Sequence, residues 1–267
     1  MKTQFEKIYV LSLITNHKRR KFIIDQFKYL DIQFEFIYGT DFYNLKYDAN
    51  NKQIKYPDVH INETHDFFRQ SGDYGCTLSH YNGILFAYEL GYNNILIIED
   101  DICFIKDKNL IYKCINNIPD DADYVTWDPR FIIYNDYVYY KQFINNKNIY
   151  TNITNKLGNI PMIGGMMYGI MNRKSMEIYL NNQRNSMKMS DLIGEFNVGN
   201  KYIKKYVCNK CICAEQFNLL CNFKNEKNNI INNFIHQNIY ALIEPLDKSM
   251  FYDINYEDKN DYVLITH

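Results

Sequence analysis

The stretch Asn94–Asp101, N-I-L-I-I-E-D-D, restricts the fold of this 267-residue chain more than any other segment. A continuous Ile/Leu run, preceded by Gly91 and ended by acids, has the pattern of a central strand covered on both faces. Glu99, Asp100 and Asp101 crowd three carboxylates onto its end, where like charges repel. A divalent cation offsets that repulsion, and hard cations such as Mg²⁺ or Mn²⁺ prefer carboxylate oxygens. In an open α/β sheet, ligands bind at the carboxyl ends of the strands. The competing reading of the same residues is a solvated acidic loop.

The flanking pattern supports an α/β sheet. Lys7–Ile14, K-I-Y-V-L-S-L-I, is β-branched and aromatic, as strands are. Asn16 is the expected N-cap of a helix over His17–Leu30, in which Phe22, Ile23, Phe27 and Leu30 recur at helical spacing. Gln33–Tyr38 is a second strand closed by Gly39, and strand–helix–strand order favours parallel pairing. Phe42–Gln70 is polar and reads as a long functional loop. Gly72–Gly91 predicts a turn and a helix with a stripe of Leu78, Tyr81, Leu85, Tyr88 and Leu90, stopped by Gly91. Beyond the acids, a helix near Asn109–Asn117, a strand Asp123–Trp127, hairpins within Ile132–Tyr150, a strand in Pro161–Met171 and a helix Arg173–Leu180 follow. Neither a repeat nor a linker interrupts the chain, which reads as one domain, with a core from about residue 7 to 222 and a closing tail from 223 to 267.

The net charge of −1 argues against a nucleic-acid binder, which needs a basic excess. No segment reaches the roughly 18 apolar residues of a membrane span. The amino terminus lacks the pattern of a cleaved signal, so a cytoplasmic protein is expected, with peripheral membrane association compatible. Cys208, Cys211, Cys213 and Cys221 cluster in sequence, but the second pair lacks the tight spacing of common zinc sites, and plain thiols are the simpler reading.

The segment G-D-Y-G-C-T-L-S-H-Y, followed after a helix by I-L-I-I-E-D-D, resembles glycosyltransferase family twenty-five, which includes lipopolysaccharide galactosyltransferases and collagen hydroxylysine glycosyltransferases. The opening strand with N-H-K-R-R, the segment G-G-M-M-Y-G-I-M-N-R-K-S and the M-S-D-L of Met189–Leu192 are similar to the family in the same order. The resemblance implies a GT-A type fold, with a mixed, mostly parallel central sheet flanked by helices. It further implies metal-dependent, inverting transfer of a hexose, galactose or glucose first, from a UDP-sugar to a hydroxyl of a glycan or a glycoprotein such as collagen-like hydroxylysine. In the family E-D-D takes the place of a metal-binding D-x-D. Asp101 is accordingly the first choice as metal ligand, with Glu99 acting on the metal, through water or at the ribose, and Asp100 holding the loop.

The remaining candidates are graded by chemistry. Arg19 and Arg20 stand where a basic fork can contact a base or phosphate, although cations at a helix start are mildly disfavoured by its dipole. Ser79 and His80 belong to the donor site; His80 either contacts the donor or is a hydrogen-bonded support. Gly75 and Cys76 read as structural. Gly164 and Gly165 admit close backbone approach to the sugar. The implied inverting transfer needs a general base, for which Asp191, the match to the family's late Asp, leads and Asp128 follows; the competing role of Asp191 is a helix cap. His236, or His267, is the candidate third metal ligand. Two other classes compete with this reading: an inactive transferase fold that binds sugar or protein, and a metal-dependent phosphoryl enzyme, which would lack a P-loop here.

Overall fold

The computed structural model describes residues 5–40, 71–127, 147–152, 154, 168–185, 203–210 and 212–215. Strand β1 (Lys7–Ser12) leads into α1 (His17–Leu30) and β2 (Glu35–Tyr38). Helix α2 (Ser71–Glu89) precedes β3 (Asn94–Glu99). After the acids come β4 (Ile102–Phe104), α3 (Lys108–Asn116) and β5 (Tyr124–Thr126). The later elements are β6 (Tyr150–Asn152), β7 (Tyr168–Asn172), α4 (Arg173–Asn185), β8 (Lys205–Cys208) and β9 (Cys213–Glu215).

Seven strands form one mixed sheet in the order β2-β1-β3-β7-β5-β8-β6, and β4 pairs with β9 in a small second sheet. Strands β2, β1, β3, β5 and β8 share one direction, while β7 and β6 run against them. Helices cover both faces, so the fold is α/β with a central mixed sheet. Along β1 and β3 the side chains alternate between two cores. Ile8, Val10, Leu96 and Ile98 meet Phe22, Ile23, Phe27 and Leu30 of α1 and Ile111 and Ile115 of α3. Tyr9, Leu11, Ile95 and Ile97 meet Tyr81 and Ile84 of α2 and Met176, Tyr179 and Leu180 of α4. Burial on both faces is why β3 carries no polar residue between Asn94 and Glu99.

Several expectations are corrected in detail. Strand β1 stops at Ser12 rather than Ile14, because the chain turns out at Leu13–Thr15. Asn16 occupies the N-cap position of α1, but its side chain makes no capping hydrogen bond. The buried stripe of α2 is wider than the expected one: Leu78 and Tyr81 are buried and Leu85 and Tyr88 pack against the core as expected, Thr77, His80, Ile84 and Ala87 are fully buried beside them, and Leu90 is exposed. Gly83 lies on that stripe, and a methyl there would sit 3.2 Å from Ile97 and Leu11. Small residues thus bring α2 close to the sheet, a signal that a search for large apolar side chains overlooks. Gly91, with φ +83°, ends the helix in the left-handed region as expected.

Strand β4 was not anticipated. It is anchored by Gln26 of α1, whose amide donates to Ile102 O (3.0 Å) and accepts from Phe104 N (2.7 Å). A buried amide here satisfies backbone groups that the short strand leaves open. Among the four clustered cysteines, Cys208 and Cys213 are buried thiols, Cys208 lying 3.7 Å from Cys114 across the core; Cys211 and Cys221 fall outside the described residues. No helix among the described residues is long and apolar enough to cross a membrane.

The order β2-β1-β3 places a switch point at β1. The chain leaves β1 through α1 on one face to reach β2, then returns by α2 on the other face to β3. The two connections diverge, leaving a crevice at the carboxyl ends of β1 and β3, where ligands bind in open α/β sheets.

Asp123 ties the opposite end of the sheet together. It accepts from Lys174 Nζ, from the Lys204 N–H and from Asn172 Nδ2, each at 2.8 Å. Burial pushes its carboxyl up, but these donors outweigh burial and hold it below the usual carboxylate range. Its stabilising contribution is therefore present above the unfolded carboxyl value of about 3.9 and disappears as pH falls through the lower folded value. Urea denaturation should show Asp123→Asn destabilised at neutral pH, with the gap to wild type narrowing as pH falls below the unfolded carboxyl value of about 3.9.

Candidate functional site

The acids of β3 meet the first strand and helix at the switch-point crevice. Leu11 pairs with Glu99 in the parallel register, so β1 and β3 end at the same level. Beyond Glu99 the chain turns at Asp100 and Asp101, and the three carboxylates diverge.

Asp100 turns inward and is 4% exposed. Its Oδ2 accepts from Ser12 Oγ (2.6 Å) and Asn16 Nδ2 (3.1 Å), and its Oδ1 from Arg19 Nη1 (3.0 Å). The side chain expected to cap α1 is thus spent on Asp100. The carboxylate lies at the amino end of α1, where the helix dipole favours an anion. Charge-assisted donors on both oxygens are what make a buried carboxylate tolerable.

Arg19 also reaches Asp101 Oδ2 at 3.4 Å, so one guanidinium bridges two acids. Its position in the first turn of α1, unfavourable by the dipole alone, is offset by those charges. Arg20 donates to the carbonyls of Leu13 and Ile14, approaches His17 Nδ1 (2.8 Å) and stacks over Tyr38, holding the loop that follows β1. Both arginines therefore engage protein groups in this structure instead of projecting as an open fork.

Glu99 faces helix α2. His80, with no exposed surface, places Nε2 2.8 Å from Glu99 Oε1, and Cys76 Sγ lies 3.6 Å from the same oxygen. Burial pushes the Glu99 carboxyl up, but His80, Cys76 and Arg19 together hold it below the usual range. Two neighbours converging on Oε1 fix the rotamer, and 22% of the side chain stays exposed. Ser79 is committed to backbone: its Oγ donates to Gly75 O (2.6 Å) and accepts from Thr40 N (2.8 Å). A Cβ at Gly39 would approach that Oγ to 2.8 Å, so glycine is needed for the contact.

Arg19, Arg20, Ser79, His80, Glu99, Asp100 and Asp101 thus gather around one end of the sheet, as supports or as solvent-facing groups. Sequence reasoning overlooked Ser12 and Asn16 as partners of the acids, and it read Cys76 as structural without linking it to Glu99. A polar residue ending an apolar strand was the available signal for Ser12. Asp128, Gly164, Gly165, Asp191, His236 and His267 lie outside the described residues. A shallow pocket lined by Phe5, Asn94, Pro119, Asp120 and Asn172 opens at the opposite end of the sheet, away from the acids.

Residues 5–168 match the family model described as Glycosyltransferase family 25 (LPS biosynthesis protein), a span that contains all of the acids described above. No curated protein matches the chain. Among solved structures, the crystal structure of A197 from STIV is similar at 9% identity, covering 82% of this chain and 97% of that one, with a TM-score of 0.35, too slight to transfer anything.

The Arg19–Asp100 pair gives a direct stability test. Removing one partner of a buried pair costs about 3 kcal/mol or more, because the other charge is left uncompensated. Arg19→Met should therefore lose about 3 kcal/mol in chemical denaturation. Lys21→Met, which removes the exposed pair with Asp25, should change stability by less than about 0.5 kcal/mol.

Proposed function

The chain belongs to glycosyltransferase family 25, and on that premise we propose that it transfers a hexose from a UDP-sugar to a hydroxyl of a lipopolysaccharide-type glycan, with a divalent cation at the acids of β3. The observation that carries this reading is the meeting of β1, the amino end of α1 and the β3 acids at the switch point of the sheet. The family's description as a lipopolysaccharide-biosynthesis protein favours a saccharide acceptor over a hydroxylysine.

The donor atoms suit a hard cation. Asp100 is the less suited ligand, since its oxygens already accept from Ser12, Asn16 and Arg19. Glu99 and Asp101, on either side of it, supply carboxylate oxygens of the kind Mn²⁺ and Mg²⁺ prefer. His236 is the candidate third ligand. Bound there, the cation would neutralise the charge that develops on the departing diphosphate.

The chain's own residues supply the rest. His80 holds Glu99 ionised and in one rotamer, and Asp100 pins the turn that presents Asp101. Arg19 is close enough to that turn to exchange its Asp101 contact for a phosphate oxygen. In the transfer the acceptor oxygen bonds to the anomeric carbon, the bond from that carbon to the diphosphate breaks, and the hydroxyl proton passes to a carboxylate. Asp191 is proposed as that base and Asp128 as the alternate; Gly164 and Gly165 are proposed to line the sugar.

Calorimetry of UDP with and without Mn²⁺, followed by UDP release from UDP-galactose, UDP-glucose and the N-acetylhexosamines, tests the proposal. Nucleotide binding should require the metal, and a hexose donor should turn over; absence of metal-dependent nucleotide binding refutes the reading. Asp101→Ala should lower turnover by at least about 100-fold. Asp191→Asn should retain UDP affinity while kcat falls by about 100- to 10,000-fold; weakened UDP binding instead would move Asp191 to the donor site.

A further inference from the structure

Glu99 has a second side, and its chemistry differs from that of the acid cluster. Cys76 and His80 stand four residues apart on α2, so the helix itself stacks them on one face. Their Sγ and Nε2 converge with Glu99 Oε1, all three atoms lying within 4.8 Å of one another. The geometry points to a second metal site here, formed by Cys76, His80 and Glu99 and suited to a borderline-soft divalent cation such as Zn²⁺.

Two of the three ligand-atom separations are near what zinc needs, and the third, between Cys76 Sγ and His80 Nε2, lies within 4.8 Å. Zinc bonds of about 2.0 Å to nitrogen and oxygen and about 2.3 Å to sulfur put tetrahedral ligand atoms about 3.3–3.6 Å apart. The sulfur–oxygen separation of 3.6 Å already fits. The nitrogen–oxygen separation of 2.8 Å has to open by about 0.5 Å. The bound ion would replace the His80–Glu99 hydrogen bond, which frees the Glu99 side chain to make that adjustment. Thiolate and imidazole select zinc over the hard cations that the oxygen ligands of Glu99 and Asp101 favour. Cys76 and Glu99 are partly exposed, which gives the ion an entry path and leaves a fourth position for water.

Affinity is limited by the outer shell. His80 Nδ1 is buried and has no hydrogen-bond partner among the described residues. Zinc-binding histidines are usually held through that nitrogen, and its loss weakens binding by about 10- to 100-fold. Because Glu99 serves both sides, zinc on Oε1 should slow the metal-dependent transfer. This consequence rests on the proposed transferase activity, whereas the metal site does not.

The test uses the full chain and Co²⁺ as a spectroscopic stand-in, without Mn²⁺ or nucleotide. Titration should produce a thiolate-to-cobalt charge-transfer band in the near ultraviolet, which Zn²⁺ erases. Cys76→Ser should abolish the band, His80→Gln should weaken Co²⁺ binding at least 10-fold, and a Cys211→Ser/Cys221→Ser double variant should retain the band. Circular dichroism of each variant confirms folding. In the wild-type chain, Zn²⁺ should also slow alkylation of Cys76 by iodoacetamide, read by peptide mass spectrometry, so the proposal stays testable if a variant misfolds. Absence of the band in wild type, its survival in folded Cys76→Ser, or unchanged alkylation of Cys76 overturns the site. Metal-dependent UDP binding is measured separately, so failure of one reading does not mimic failure of the other.

Discussion

A carboxylate buried at the end of the central strand has to be compensated, and the way Asp100 is compensated organises this end of the molecule. Its oxygens collect a hydroxyl from β1, an amide from the N-cap position of α1 and a guanidinium from the first turn of that helix. Three elements are thereby tied at one point. The turn that presents Glu99 and Asp101 is fixed as a consequence, and the repulsion among adjacent acids is relieved by burying one and bridging it to the next through Arg19. Without that anchor, the acids would be a mobile anionic turn rather than a shaped site.

The second constraint is the close approach of α2. Gly83 and Ala87 let the helix lie against β1 and β3, which brings Cys76 and His80 level with the end of β3. The fully buried His80 then reaches Glu99, and Ser79 ties the helix to the segment leaving β2. Packing on one face of the sheet and the charge of an acid at its edge are coupled through a single helix. Glu99 consequently sits between an oxygen-rich surface on the Asp101 side and a sulfur–nitrogen surface on the α2 side.

Much of the framework was readable from the sequence. Strand β3 is marked by its unbroken apolar run and helix α1 by its periodicity, and α1 spans His17–Leu30 as its spacing predicts. The buried face of α2 was only partly readable: Leu78 and Tyr81 are buried as their spacing predicts, but the close contact with the sheet also rests on Thr77, His80, Gly83 and Ala87, residues that score poorly as core formers. Strand β4 was invisible for a different reason. It is three residues long, and its partner β9 lies far along the chain, so no local pattern marks it. At the site, the clustering of Arg19, Ser79, His80 and the acids follows from the order of strands and helices. The supporting roles of Ser12, Asn16 and Cys76 depend on long-range contacts that spacing does not encode.

The sequence by itself determined that three acids end a strand buried on both faces, because only such a strand tolerates an unbroken Ile/Leu run and only its end tolerates charge. It also determined that a helix carrying Arg19 starts just after the first strand. It could not decide which acid is buried and which face the crevice, since neighbouring carboxylates are chemically near-equivalent along the chain. The tertiary structure decided that, by bringing the donors of Ser12, Asn16 and Arg19 to Asp100 and the imidazole of His80 to Glu99. A carboxylate takes the place where its charge finds donors, and those donors come from elements distant in sequence.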